Sequence, residues 1–193
     1  MTARERADAA RNRQAILAAA STLFDTADDP LTVTMDDVAA AAGVGKGTLF
    51  RRFGDRAGLL RAVFDTRIAG LMTAIVNGPP PLGPGTPAHE RLLALLDAMV
   101  AFKLDNRAIT RALERTSERT SFLESPNYQL AHALFTDLLT EMVSPDRAAW
   151  TAHALLSYTR IDLLEHLTAT QQWTATRLRR EIREVADRIL PRQ

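Results

Sequence analysis

The stretch Thr34-Met35-Asp36-Asp37-Val38-Ala39-Ala40-Ala41-Ala42-Gly43-Val44-Gly45-Lys46-Gly47-Thr48-Leu49-Phe50-Arg51-Arg52-Phe53-Gly54-Asp55-Arg56 decides how the rest of this chain is read. It spells a helix, a tight glycine turn and a second, short helix whose outward residues are cationic, glycine and hydroxyl. Thr34 opens the first helix, with Asp37 three residues on as a capping-box-like pair. Met35, Val38, Ala39 and Ala42 form its apolar stripe, and Gly43 is placed to end it. The short helix covers about Gly45 to Arg52. Val44, Leu49 and Phe53 are spaced to pack it onto the helices before it.

Two residues of the short helix run against helix stability. Lys46 near the N-terminus opposes the macrodipole, at a cost of a few tenths of a kcal/mol. Gly47 inside the helix costs about 1 kcal/mol relative to Ala. Two broken local rules in one short helix point to a reward from outside the fold. DNA supplies one. Gly47 lets the backbone approach a groove wall, Lys46 can reach a base edge or a phosphate, and Thr48 can offer a hydroxyl or a methyl to a base. Arg51 and Arg52 follow toward the sugar–phosphate backbone, where their charge adds affinity and salt dependence. Thr34 and Arg56 cap or begin the flanking helices, whose N-termini are natural phosphate sites. The bland alternative is a cationic solvated turn; the spaced pattern as a whole favours the reader.

Working outward, a first helix spans roughly Arg11 to Phe24, with Ile16, Leu17, Ala20, Leu23 and Phe24 on one face. Asp28-Asp29-Pro30 ends the link to the next element. After the motif, Asp55 can cap a fourth helix with apolar positions Leu59, Leu60, Val63, Phe64, Ile68, Leu71, Met72 and Ile75. At 1.5 Å per residue that pattern is roughly 30 Å long, too long for a three-helix head, so it is expected to continue into a body. A Pro- and Gly-rich loop from Asn77 to Pro87 follows, then helices near 88–104, 107–118, 126–143, 146–169 and 174–190. The fold class is all-α: an N-terminal three-helix helix-turn-helix DNA-binding head, 1–54, and a C-terminal helical body, 55–193.

Charge agrees with this reading. The net charge is only +1, yet Val44 to Arg61 holds Lys46, Arg51, Arg52, Arg56 and Arg61 against Asp55 alone. A basic patch on a near-neutral chain implies a partner for the patch, whereas sequence-independent DNA compaction would ask for more positive charge overall. With 46% hydrophobic residues in 193, a core can be built. There is no cysteine, so disulfides and thiolate metal sites are excluded and a reducing compartment fits. The charged N-terminus lacks a secretory apolar region. The uncharged run after Ile68 is broken at Asn77-Gly78-Pro79-Pro80-Pro81, short of a membrane span. A cytoplasmic location without membrane association is expected.

The motif resembles the N-terminal helix-turn-helix of TetR-type transcriptional regulators. The matching residues are Ile16 to Phe24 of the first helix, Thr34 with Val38-Ala39, Ala42-Gly43-Val44, Lys46-Gly47-Thr48-Leu49-Phe50, Phe53 and Leu59-Leu60. The resemblance implies a third helix in the major groove, with Lys46, Gly47 and Thr48 facing bases or nearby phosphates. It implies backbone contacts by Thr34, Phe50, Arg52 and Arg56. Three positions depart from the family pattern. Phe50 stands where tyrosine is common and can keep only the packing, Gly45 stands where serine is frequent, and Arg56 stands where lysine is frequent. From about residue 68 onward the resemblance implies a ligand-binding and dimerisation body. The expected function is a ligand-responsive repressor that binds a palindromic operator as a homodimer and is released by a small, mainly apolar effector.

Within the body, Phe64, Leu71, Met99, Phe102, Phe122, Tyr128, His132, Phe135, Met142, Trp150, His153 and Tyr158 are pocket candidates, with ordinary core as the plain alternative for each. Tyr128, His132, His153 and Tyr158 carry polar tips that could orient a ligand in an apolar pocket. Arg107, Arg111, Arg115 and Arg119 recur every four residues, interleaved with Glu114 and Glu118, and read as a solvated face. Trp150, Ala154, Ile161 and Leu164 lie on one side of the 146–169 helix, with Leu155, Leu156, Leu163 and Leu167 on another. The last helix carries Leu178, Ile182, Val185 and Ile189. Trp150, Ala154, Ile161, Leu164 and that last stripe are the expected dimer seam, two helices from each chain. No cofactor or metal is implied, and an enzyme is disfavoured: no nucleophile elbow or phosphate-binding glycine loop occurs, and His89, His132, His153 and His166 lack ligand spacing. A helical protein-interaction adaptor with a vestigial DNA-binding head is the competing class.

Overall fold

The structure, a computed structural model, describes residues 3–116 and 122–190. Helices account for its regular structure: α1 Ala3–Thr26, α2 Met35–Ala41, α3 Lys46–Phe53, α4 Arg56–Asn77, α5 Ala88–Asp105, α6 Arg107–Thr116, α7 Pro126–Thr140, α8 Pro145–Ser157, α9 Ile161–Glu165 and α10 Ala175–Ile189. They fall into two compact units, Met1–Arg67 with Ala108–Thr116, and Ile68–Arg107 with Ser117–Gln193. The division falls inside α4, which contributes residues to both.

In the first unit, local chemistry sets each helix end. Asp29 accepts a hydrogen bond from the Leu31 N–H at 3.0 Å and turns the chain through Pro30–Thr32. The capping box at α2 is complete. Thr34 Oγ1 accepts from the Asp37 N–H at 3.2 Å, and Asp37 Oδ2 accepts from the Thr34 N–H at 2.9 Å. The Thr34 hydroxyl also donates to that carboxylate, and these bonds hold the Asp37 carboxyl below its ordinary value. At the other end Gly43 takes φ +64°, and the Val44 N–H reaches Ala39 O at 3.0 Å while the Gly43 N–H reaches Ala40 O at 3.2 Å. That pair is a Schellman motif, whose left-handed residue glycine adopts without strain.

The core of this unit is built from one stripe per helix. Ile16, Ala20 and Phe24 of α1, Val38 of α2, Leu49 of α3, and Leu59, Leu60 and Val63 of α4 are all essentially inaccessible to solvent. α1 packs on α2, and α2 on α3. Arg67 ties α4 to α1 through Ser21 O at 3.2 Å and Asp25 Oδ2 at 2.6 Å.

In the second unit α5 is central and packs against α7, α9 and α10, while α7 and α8 lie along each other. Leu92, Leu95, Leu96, Val100, Phe135, Leu139, Leu155, Leu164 and Leu178 are among its buried cluster. Arg91 donates to Ile75 O and Leu82 O at 2.8 and 2.9 Å and so fastens the loop after α4. A bidentate pair from Arg179 to Asp97 joins α10 to α5.

One expected helix is broken. The stretch 146–169 is not continuous: α8 stops at Ser157, α9 restarts at Ile161, and His166–Thr170 winds as a π-helical turn. The hydroxyls of Ser157 and Thr159 donate back to Ala154 O and Leu156 O, at 2.6 and 2.8 Å. Such bonds occupy carbonyls that the next turn would need and offer the backbone a way out of the helix. The break resets the phase, so Ile161 and Leu164 turn inward on α9 instead of sharing a face with Trp150.

Candidate nucleic-acid interface

α3 divides its residues between two faces. Leu49 and Phe53 are buried, at 0% and 8% exposure. Gly45, Lys46, Gly47, Phe50 and Arg51 are exposed, and Thr48 is half-buried beside them. The helix opens at Gly45 with no side-chain cap, so no N-cap side chain satisfies the first N–H groups of α3. It closes at Gly54, whose φ of +77° needs glycine. Asp55 then accepts from the Gly58 N–H at 2.7 Å and starts α4. Gly58 is required at that corner, because a Cβ there would lie 2.0 Å from Phe53 O.

Gly47 is the opposite case. A Cβ at Gly47 would meet nothing within 4 Å, and its backbone is helical. No contact inside the fold requires glycine there, and helix propensity argues against it. Lys46 proves less anomalous than its position suggested. Its ammonium pairs with the Asp36 carboxylate at 2.8 Å, both side chains well exposed. A pair in that setting contributes about 0–1 kcal/mol, enough to offset the unfavourable dipole. Asp36 was not singled out from sequence; the signal was that the capping box occupies Asp37 and leaves its neighbour free.

The arginines separate sharply. Arg51 is exposed and enters no ion pair among the described residues. Arg52 instead donates to Ala9 O of α1 at 2.8 Å. Arg56 donates to Val33 O and Pro30 O at 2.8 and 2.6 Å and lies over the Phe24 ring at 5.9 Å. Burial pushes its guanidinium below the ordinary value, with Asp29 opposing. Arg52 and Arg56 were expected to grip phosphates; the fold uses both to hold α1 and the chain before α2. Phe50 was expected among the DNA-backbone contacts, keeping only the packing of the tyrosine it replaces; it is 39% exposed, on the same face as Lys46 and Gly47.

This geometry is that of a short cationic helix presented on a small helical scaffold. The model of the bacterial regulatory proteins of the tetR family matches residues 16–63, from α1 into α4. An HTH-type transcriptional regulator of Staphylococcus aureus (strain bovine RF122 / ET3-1) is 30% identical over 133 residues, 69% of this chain and 70% of that protein. The chain belongs to the TetR family of transcriptional regulators. A TetR-like transcriptional regulator from Rhodococcus sp. RHA1 has the same fold, with a TM-score of 0.64 at 20% identity over 92% of this chain and 94% of that one. So has NalD, the secondary repressor of the MexAB-OprM multidrug efflux pump in Pseudomonas aeruginosa, with a TM-score of 0.58 at 21% identity over 96% and 98%. This TetR-family chain is therefore a DNA-binding transcriptional regulator and not an enzyme.

In the second unit of the regulator the expected pocket residues sort by burial. Tyr128, His132 and His153 come together across α7 and α8. The Tyr128 hydroxyl and His153 Nδ1 are 2.6 Å apart, and the two imidazole centroids are separated by 3.9 Å. His132 Nε2 lies 3.1 Å from Ala149 O. Burial pushes the His153 imidazole down from its ordinary value, and the neighbouring His132 pushes it the same way. Phe135 is fully buried as core, while Phe102 and Tyr158 are half-buried. The Phe122 side chain and Arg119 lie outside the described residues. Trp150, at 73% exposed, points into solvent and leaves the pocket set.

The expected dimer seam changes in the same way. Ile161, Leu164, Leu178 and Ile182 are 0–7% exposed within the protomer, so their side chains are consumed by its own core. Trp150 and Ile189 remain exposed, and Ala154 and Val185 half-buried. Among the described residues no helix is long and apolar enough to cross a membrane, and no group of three His, Cys, Asp or Glu could hold a metal.

Proposed function

We propose that this TetR-family regulator is a cytoplasmic repressor that binds a palindromic operator as a homodimer and is released by a small, mainly apolar effector. Residues 1–54 would be its reading domain and 55–193 its ligand-binding and dimerisation domain. The observation that carries the reading part is Gly47, a helix glycine with open space above it, set between Lys46 and the exposed Phe50 and Arg51. Lys46 and Thr48 address bases, Gly45 and Gly47 permit close approach, and Thr34 and Arg51 meet phosphates.

Homodimerisation is supported by Trp150, an indole 73% exposed in the protomer, with Ala154, Val185 and Ile189 as further apolar side chains that its core leaves at least partly accessible. The effector reading rests on Tyr128, His132 and His153, polar tips gathered across α7 and α8 and suited to orienting an apolar ligand.

Selection of bound duplexes from a random pool tests the proposal. The expected product is a palindrome with half-sites one helical turn, about 34–36 Å, apart or a multiple of that. A monomer by light scattering, or an enriched site without two-fold symmetry, refutes the dimeric reading. Failure to enrich any sequence refutes operator binding and favours the adaptor.

A further inference from the structure

We propose that Phe50 is a specificity-determining residue that reads the 5-methyl group of a thymine in the major groove. The inference rests on the assignment of α3 as the DNA-reading helix and names the chemical group it recognises.

Within α3, Leu49 and Phe53 turn inward, yet Phe50 is 39% exposed. Its neighbours on that face are Gly47, three residues back, and Lys46, four back, positions that share one side of a helix. The Lys46 ammonium sits 6.0 Å from the ring centroid and is drawn toward Asp36. Nothing within 4 Å occupies the space above Gly47. The result is open space over bare helix backbone at Gly47, with the Phe50 ring and the Lys46 ammonium on the same side of the helix.

A phosphate gains nothing from the Phe50 ring, which carries no hydrogen-bond donor. Base edges in the major groove present hydrogen-bond donors and acceptors at every pair, and a methyl group only at thymine. A methyl is also the right size for the volume that the missing Gly47 side chain leaves open. Gly47 and Phe50 therefore act together, one making room and the other supplying the contact.

The test uses the full-length protein and the duplex it selects from a random pool. Each thymine of the selected half-site is replaced by deoxyuracil, symmetrically in both halves, which removes the methyl and leaves the hydrogen-bonding edge. Burial of one methyl should be worth about fourfold in affinity, so roughly 15-fold across two half-sites. The wild type should show that loss at one thymine per half-site. Phe50→Ala should bind thymine and uracil duplexes alike, and Phe50→Tyr, which keeps the ring, should retain the loss. An undiminished affinity at every uracil, a selected half-site without thymine, or an equal loss in Phe50→Ala overturns the proposal. A wild type that loses affinity at no uracil overturns the proposal even where a variant folds poorly. If no duplex is enriched in the first step, the DNA-reading assignment itself falls and takes this inference with it, a failure distinct from a bound but methyl-blind duplex.

Discussion

Replacing Gly47 with Ala should make this regulator more stable and a worse DNA binder. The added Cβ meets no atom within 4 Å, so the substitution carries no internal steric cost. Helix propensity favours Ala over Gly by about 0.5–1 kcal/mol. For a chain of this size that corresponds to a rise in melting temperature of about 1–4 °C. On DNA the same methyl fills the gap through which backbone and groove approach. Overpacking a closely fitted contact costs about 1–3 kcal/mol, or about 5- to 150-fold in affinity for each reading helix. Fluorescence anisotropy on the selected duplex at fixed salt, beside a thermal melt, measures both halves of the claim. A stabilised Gly47→Ala protein that binds as tightly as wild type would refute close approach at this residue. A destabilised one would show that glycine serves the fold after all.

Arg51→Gln should weaken selected and random duplexes alike and reduce the salt slope by about 0.9 per lost phosphate contact; an unchanged slope removes Arg51 from the backbone contacts. Arg56→Gln should instead cost about 1–3 kcal/mol in urea unfolding, because it abandons the carbonyls of Val33 and Pro30, and unaltered stability would contradict that structural role. The His153 imidazole is held below its ordinary value in the fold, so the unfolded chain binds the extra proton first. Its contribution to stability is complete above about pH 6.5 and declines as pH falls toward the lower folded value. His153→Gln should flatten stability between pH 7 and 5, and an unchanged slope there would refute the assignment. Trp150→Glu should shift sedimentation toward monomer and leave helical content intact; a persistent dimer places the seam elsewhere.

How much of this was legible in the chain depends on how far apart the interacting groups stand. Capping and turn chemistry act between residues three or four apart, so Thr34 with Asp37, Gly43 after α2, and Asp55 before α4 were written in the sequence and recur in the structure. The 3.6-residue period likewise exposed the buried faces of α1, α2 and α3, because each face needs only its own helix to be recognised. Anomalies were legible too: Gly47 stood out against local propensity, and the structure leaves it without an internal reason.

Partner choice across the fold was not legible, since it depends on which surfaces packing brings together. A guanidinium reaches several ångströms in any direction, and sequence supplies no direction. Arg52 bonds a carbonyl 43 residues away and Arg56 two carbonyls 23 and 26 residues away, anchoring roles that their place in the sequence gave no sign of. The break after Ser157 was similarly hidden, because an apolar period continues through it while the hydroxyls of Ser157 and Thr159 redirect the backbone. That break turned Ile161 and Leu164 into core and left Trp150 outside. The sequence alone determined the helices, their ends and the odd chemistry of α3, because those follow from short-range geometry along the chain. Tertiary packing alone decided which cations also brace the fold and which apolar residues stay accessible, because both depend on surfaces that meet only once the helices pack.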